Sequence, residues 1–334
     1  MKLKITSVFF LMLLFLVLGL LSGAIPVLAE ENALSDAPDA AAIISADLAA
    51  TPTASPQASP EPSPTGTPHP SPSPLPTAAP SSVTVIPTTI TSDSILDNDT
   101  YYNVDPEFFS PADSSFSLPA EGYQILILHT HSTEAYTPDG TDVYESSDSY
   151  RTTDTNYSVV RVGRELAEAL RAYGLNVLHD EGLYDYPSYT SSYVRSGQAI
   201  EEYLEAYPGI VLVIDLHRDA LGDGDTIYKV VADAEGTQAA QLMFVMGSDI
   251  NLEHPLWQDN LALALTLQRT VSDRYPELMR PMNLCAYRYN QQLTTGSVLL
   301  EVGTAGNTLQ EAITAVQLFA DAVAPYLISC IDPA

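Results

Sequence analysis

Basic side chains are scarce in this sequence of 334 residues. It has 13 Lys and Arg against 42 Asp and Glu, which gives a formal net charge of −29 at pH 7. After Lys4 the next basic residue is Arg151. Binding to the phosphates of nucleic acid requires clusters of Lys and Arg, so the composition argues against a nucleic-acid partner. The same shortage leaves residues 5–150 without a cationic patch for an anionic lipid or polymer.

Cysteine is also scarce, since Cys285 and Cys330 are the only two. Neither has the spacing of a cysteine-based metal site. Outside the cytoplasm one disulfide between them is chemically permitted, and two ordinary buried thiols are the alternative. The sequence leaves both open, because it does not show whether the two Cα atoms approach within bonding distance.

Charged residues are absent from residues 5–29, a run of 25 residues that follows Lys2 and Lys4. A helix needs ~20 apolar residues to cross a bilayer, and preceding lysines favour the cytoplasmic side. Residues 8–21 also have the length of a signal-peptide core, and residues 27–29 resemble a cleavage site. We therefore predict a membrane anchor or signal peptide at residues 1–29. The rest of the chain is then extracytoplasmic, either as a single-pass membrane protein or, if the N-terminus is cleaved, as a secreted one.

Residues 30–100 form an Ala/Pro/Ser/Thr-rich segment that predicts a disordered spacer. Of the 25 prolines in the chain, 11 lie between residues 52 and 80. Such a composition cannot bury enough apolar surface to fold, and dense proline favours an extended chain of ~3.1 Å per residue. We assign residues 101–334 to one catalytic domain.

Apolar runs and helical patterns alternate from Gln124 onward. The strands are apolar on both faces, which is typical of a mostly parallel sheet covered by helices on both faces, a three-layer α/β domain. We predict strands at residues 125–128, 175–178, 210–216, 228–232, 242–247 and 298–302, and helices at residues 156–173, 195–207, 255–275 and 308–323.

Residues able to bind a metal or transfer a proton follow three of these strands. His131 and Glu134 come after the first, His217 directly follows the third, and Glu301 lies near the end of the last. Ligands of open α/β sheets bind at the carboxyl ends of the strands, so we expect these side chains to converge. Two His and one Glu with a position left for water form a common catalytic zinc set. The sequence therefore predicts Zn²⁺ held by His131, Glu134 and His217.

Hydrolysis at such a centre also needs a general base that is not a ligand. Glu301 fits, because burial at a strand end raises the pKa of a carboxyl group. Arg218 is a second candidate, for stabilising an oxyanion or binding a substrate carboxylate. Asp215, two residues before His217, can orient an imidazole or bond to backbone amides.

Other side chains compete for these roles. His129 lies two residues before His131 and is the alternative first ligand, a neighbour of the ligands or a substrate contact. Glu145 and Asp154 are the rival carboxylate ligands. Several tyrosines follow the first strand, and tyrosine-rich loops suit sugars and peptides.

Four motifs of this chain resemble those of the stage II sporulation protein P family of peptidoglycan hydrolases. They are ILILHTHSTEAY, YPSYTSSYVRSG, VLVIDLHRDAL and YNQQLTTGSVLLEVGTAGNTLQEA, and the resemblance covers residues 122–326. It implies a zinc-dependent N-acetylmuramoyl-L-alanine amidase with the fold of zinc amidases and zinc carboxypeptidases, and it also implies endopeptidase action on cross-links. The implied setting is forespore engulfment, with a stage II sporulation protein D-like lytic transglycosylase as partner.

The chain departs from the wider zinc amidase pattern in one place. A ligand glutamate of that group lies just before a helix, at a place resembling residues 152–156 here, where this chain has Thr153 and Asp154 and no glutamate. This departure favours Glu134 as the ligand. A zinc carboxypeptidase or endopeptidase on stem peptides, and a non-catalytic cell-wall binding module, are the alternative functions.

Overall fold

The computed structural model describes residues 83–109, 116–223, 225–234 and 236–333. The predicted anchor at residues 1–29 and the spacer up to residue 82 lie outside these residues. Two strands, β1 (Thr84–Thr88) and β2 (Leu96–Asn98), precede Tyr101. The folded part therefore begins within the range that the sequence assigns to the spacer. Both strands are short and lie at sheet edges, so they carry little of the apolar alternation that would reveal them.

Ten strands in the described part form two sheets. The order in the larger sheet is β2-β9-β8-β10-β5-β3-β4, and in the smaller β1-β6-β7. The further strands are β3 (Ile125–Leu128), β4 (Val177–His179), β5 (Leu212–Asp219), β6 (Thr226–Ala234), β7 (Thr237–Ala240), β8 (Leu242–Gly247), β9 (Met282–Cys285) and β10 (Gly296–Thr304).

The larger sheet is parallel at every junction except one. Strands β4, β3, β5 and β10 run in one direction. Strand β8 pairs antiparallel with β10, and β9 and β2 continue parallel to β8. The carboxyl ends of β3, β5 and β10 thus share an edge with the amino ends of β8 and β9.

Four α-helices of the described part cover this sheet, and their termini follow capping rules. The first begins with Ser158, whose side chain accepts from Val160 N–H, and the last begins with a capping box between Thr308 and Glu311. Such caps satisfy the free N–H groups of the first helical turn. The helices are α1 (Val159–Ala172), α2 (Ser192–Ala206), α3 (Trp257–Arg274) and α4 (Leu309–Ser329).

The two faces of the sheet are covered unequally. Helices α1, α3 and α4 contribute to the main core, together with one side of the central strands. Ile200 of α2 packs in a smaller cluster with Leu126, Leu128 and Val213 on the opposite face. The predicted three-layer α/β class is confirmed, but α2 covers only the side of β3 and β5, and the face of β10 and β8 stays open.

Helix α4 is, among the described residues, the one helix long and apolar enough to cross a membrane. Its Phe319 packs against Phe244 of β8, with ring centroids 6.1 Å apart. Most of its apolar residues are buried in the main core, which is the environment of a core helix. Cys330, directly after α4, and Cys285 are both free thiols, so the possible disulfide does not form.

Candidate active site

The loop after β3 turns tightly at the carboxyl edge of the sheet. Glu134 N–H donates to His131 O over 3.0 Å, which brings both side chains to the same side. The buried carboxylate of Asp185, which is distant in the sequence, fixes this loop by hydrogen bonds. It accepts from Thr133 N–H at 3.1 Å, from Thr133 Oγ1 at 2.6 Å and from Ser132 Oγ at 3.1 Å.

His131, Glu134 and His217 come together at this edge. The rings of His131 and His217 are perpendicular, with centroids 5.2 Å apart. His217 Nδ1 lies 3.6 Å from Glu134 Oε2, and Arg218 N–H donates to the same oxygen over 3.2 Å. All three side chains are buried. The turn after β3 and the end of β5 therefore meet as the sequence predicts.

Electrostatics around His217 and Glu134 favour their charged forms. Burial lowers the pKa of His217, but the carboxylates of Asp215 and Glu134 outweigh it and hold the pKa well above its usual value. Burial likewise raises the pKa of Glu134, but Arg218, His217 and Arg151 bring it far below its usual range. His217 Nε2 lies 2.9 Å from Asp215 Oδ1, outside hydrogen-bond geometry. Asp215 is itself fixed by Thr130, which donates from its backbone N–H and its hydroxyl.

His131 sits in an aromatic pocket. Its ring stacks on Tyr189 with centroids 4.4 Å apart, and Tyr193 meets it edge-on at 5.4 Å. Its Nε2 is 2.9 Å from the Tyr189 hydroxyl, whereas its buried Nδ1 has no hydrogen-bond partner in the described part. Burial lowers the pKa of His131 to about 3, so the imidazole is neutral. A neutral imidazole with a free nitrogen is the form that binds metal.

His129 points away from this centre. Its Nδ1 lies 2.9 Å from Leu216 O and its Nε2 3.0 Å from His179 Nε2, against helix α1. Burial lowers the pKa of His129 to about 4. Both nitrogens are thus engaged within the fold. The rival carboxylates Glu145 and Asp154 are exposed on the loop between β3 and α1.

Glu301 lies in register between His217 of β5 and Met243 of β8. Its Oε2 is enclosed and has no hydrogen-bond partner in the described part. Burial and the neighbouring Asp219 raise the pKa of Glu301 to about 8. A carboxyl group with a free oxygen and a raised pKa is suited to transfer protons near neutral pH.

Arg218, the second candidate for catalysis, has a different role in this arrangement. Its Nε donates to Ala135 O and its Nη2 to Tyr150 O, both over 3.0 Å, and its Nη1 lies 3.5 Å from Asp219 O. Each nitrogen thus contacts a backbone carbonyl, because the loop after β3 folds back over the end of β5. The side chain holds that loop, and the geometry does not favour the predicted oxyanion or carboxylate role.

The side chains of His131, Glu134 and His217 are of the chemical types that bind zinc. Two imidazoles and one carboxylate are zinc ligands, and the unpartnered Nδ1 of His131 is a free donor. In the described part of the chain, however, no three His, Cys, Asp or Glu side chains are already grouped tightly enough to hold a metal ion. His217 instead turns its nitrogens toward Asp215 and Glu134.

These residues line a groove of about 930 Å³ on the open face of the sheet. Its floor contains Met243, Val245 and Leu299, and tyrosines such as Tyr189 and Tyr193 form a wall. Sequence reasoning missed three further lining residues, Arg151, Asp185 and Arg280. Arg151 pairs with Asp185 over 2.7 Å, but no spacing in the sequence signals this contact.

The fold and the site define an α/β protein whose polar centre lies at the carboxyl ends of parallel strands, the usual place of an active site in this class. The chain belongs to the stage II sporulation protein P family, whose model matches residues 80–324. The named residues of the site all lie within that match.

The chain has a distant relative among characterised proteins. The chain is 27% identical over 212 residues to stage II sporulation protein P of Bacillus subtilis strain 168, a match that covers 59% of this chain and 49% of the relative. The matched part thus spans about half the length of that relative.

Solved structures with some likeness include an N-acetylmuramoyl-L-alanine amidase of Nostoc punctiforme, at 12% identity, with 63% of this chain and 98% of that chain covered and a TM-score of 0.37. An N-acetylmuramoyl-L-alanine amidase from Clostridium difficile 630 has 14% identity, coverage of 62% and 96%, and a TM-score of 0.34. At TM-scores this low, the likeness carries no argument about this chain.

Proposed function

We propose that the protein is a peptidoglycan hydrolase that cleaves the amide between N-acetylmuramic acid and the L-alanine of the stem peptide during endospore engulfment. The observation that carries this proposal is the convergence of His131, Glu134, His217 and Glu301 in one groove, in a chain of the stage II sporulation protein P family. An open groove suits a polymer substrate better than a closed pocket would.

The ligand role falls to His131, Glu134 and His217. When bound there, zinc would polarise the substrate carbonyl and make water more acidic. The neighbours of these residues support the role. Tyr189 contacts His131 Nε2 and leaves Nδ1 free. Asp215 lies against His217 Nε2, and His217, whose charged form is favoured in the absence of metal, would release a proton when zinc binds.

Glu301 is the proposed general base and acid. Its free Oε2 accepts a proton from the attacking water, and the protonated carboxyl then donates to the nitrogen of the departing L-alanine. The second transfer is needed because an amine anion is a poor leaving group. A pKa of about 8 allows the carboxyl both to accept and to return the proton near neutral pH.

Digestion of purified peptidoglycan with and without a chelator tests this function. We expect release of stem peptides with a free L-alanine amino group, and loss of that activity when the chelator is added. Release of free C-terminal amino acids would show a zinc carboxypeptidase, and cleavage within cross-links an endopeptidase. If the protein binds walls and releases nothing, it is a binding module.

Location and partners complete the proposal. Residues 1–29 anchor the domain outside the membrane or export it, and residues 30–82 act as a spacer; both lie outside the described residues. Protease added to intact protoplasts should therefore remove the domain, and its survival would contradict this orientation. The proposed partner is a stage II sporulation protein D-like lytic transglycosylase, and we expect no nucleic-acid partner.

A further inference from the structure

Three arginines line the groove, and two of them make several contacts with the loop after β3 or its neighbours. Arg151 donates to Asp185, Thr133 and Glu134. Each nitrogen of Arg218 contacts a backbone carbonyl oxygen. Both guanidinium groups are thus held by contacts within the described part of the chain.

Arg280 is different. The residue is only 7% exposed, and its Nη1 donates to Asp219 Oδ2 over 2.7 Å. Its buried Nε has no partner in the described part of the chain, and no described neighbour accepts from its Nη2. Buried N–H groups are nearly always paired. The Nε and Nη2 atoms form the edge of a guanidinium that holds a carboxylate by two parallel hydrogen bonds.

The topology places this arginine beside the catalytic centre. Arg280 lies two residues before β9, and its backbone N–H donates to Leu242 O at the start of β8. Asp219, its ionic partner, ends β5 on the other side of β10. The ion pair therefore crosses the end of β10 just beyond Glu301, at the rim of the groove.

We propose that Arg280 binds a carboxylate group of the peptide part of the substrate through its Nε–Nη2 edge. The inference rests on the proposed function and deepens it, because it assigns the side of the groove over β8 and β9 to an acidic peptide. The apolar floor formed by Met243, Val245 and Leu299 offers no other cation to such a group. In a chain of net charge −29, a local cation is needed to hold an anion at this place.

The competing explanation is that Arg280 only holds Asp219. Calorimetric binding of two probes to the full chain separates the two roles. The first probe is the dipeptide L-Ala-D-Glu with free carboxylates, and the second is its diamide. We expect the wild type to bind the acid about tenfold or more tightly than the diamide, because charged hydrogen bonds are the strong ones.

The Arg280→Gln variant should bind both probes equally. Arg280→Lys keeps the positive charge but loses the two parallel N–H donors of the guanidinium. It should show an intermediate preference for the acid over the diamide. Arg161→Gln is the matched control: it removes the same charge from α1, where Arg161 pairs with Glu165, and it should bind like the wild type. The preference is a ratio within one protein, so it does not depend on how much of a variant is folded.

Two outcomes would overturn the inference. One is an Arg280→Gln protein that keeps the full preference for the acid over the diamide, and the other is a wild type that binds both probes equally. Failure of the proposed function looks different. A wild type that prefers the acid probe but leaves peptidoglycan intact would refute the amidase and retain the carboxylate site. A wild type that cleaves peptidoglycan but binds the acid and the diamide equally would refute the carboxylate site and retain the amidase.

Discussion

At the scale of single residues, Glu301 is the most exacting test of the mechanism. The change Glu301→Gln keeps the size of the side chain but removes its ability to accept a proton. General acid–base catalysis contributes ~10²–10⁴-fold, so the rate of amide cleavage should fall at least a hundredfold. Zinc content and the melting temperature should stay near those of the wild type.

The measurement is the release of L-alanine amino groups from purified peptidoglycan, with metal analysis of the same samples. A variant that cleaves near the wild-type rate would end the proposed mechanism. A variant that loses its zinc would instead make Glu301 a ligand and leave the base unassigned.

The histidines allow a matched comparison at the same scale. His131→Ala removes the unpartnered nitrogen in the groove, so zinc content and lysis should be lost together. His129→Ala alters a side chain bonded to Leu216 O and His179, and it should keep the metal. Metal analysis of the purified proteins checks both. The opposite pattern, with zinc retained in His131→Ala and lost in His129→Ala, would mean that the ligand was misassigned.

Much of this site is visible in the sequence because its residues follow strand ends. His131, Glu134, His217 and Glu301 each come after or within an apolar run, and parallel strands bring such ends to one edge. Arg280 could not be found in this way. It precedes a strand, and its approach to Asp219 depends on the antiparallel junction between β8 and β10, which no local pattern encodes.

At the scale of elements, the close contact between α1 and β3 is decided by one glycine. A Cβ added at Gly163 would overlap the ring of His129 and crowd that of His179. In most helices Gly→Ala stabilises a protein by about 0.4–1 kcal/mol. Here Gly163→Ala should destabilise it by about 1–3 kcal/mol, as overpacked cores do.

Denaturant unfolding measures this change, and the double variant Gly163→Ala/His129→Ala supplies the control. Removing the imidazole makes room for the added methyl group, so the two changes together should cost less than the sum of the single ones. A Gly163→Ala protein as stable as the wild type would show that the helix moves freely on the sheet.

Some strands of the structure are predicted from the sequence, and others are missed. The long apolar runs of β3, β5, β8 and β10 are found, because central strands are buried on both faces. Strand β9 reads MNLC, with alternating burial over four residues, which is too short for a periodic signal. Strand β1 reads TVIPT, and its proline fits only an edge position.

At the scale of the whole molecule, the edge strands before Tyr101 should contribute to stability. Leu96 of β2 is buried in the main core, and Gln241 bonds to both backbone groups of Ile90. A chain that starts at residue 101 loses these contacts. Removal of a buried leucine side chain costs about 2–5 kcal/mol, so its melting temperature should fall by about 4 °C or more.

A chain that starts at residue 83 is the matched control, and it should melt close to the full chain. Calorimetry of the three proteins measures the difference. Equal melting temperatures for the chains that start at 83 and at 101 would show that β1 and β2 are dispensable.

The single antiparallel junction between β10 and β8 has a consequence for how this groove can change. On one side of it, the groove is built by the carboxyl ends of strands, with His131 and Glu134 in the loop after β3 and His217 near the end of β5. On the other side it is built by segments that precede strands, and these contain Arg280. Under the proposed function, substitutions in the second group would alter which stem peptides the groove binds, while the residues proposed for amide cleavage stay unchanged. The residues proposed for cleavage and the residue proposed for peptide binding thus lie on different structural elements, which leaves them open to independent evolution and independent engineering.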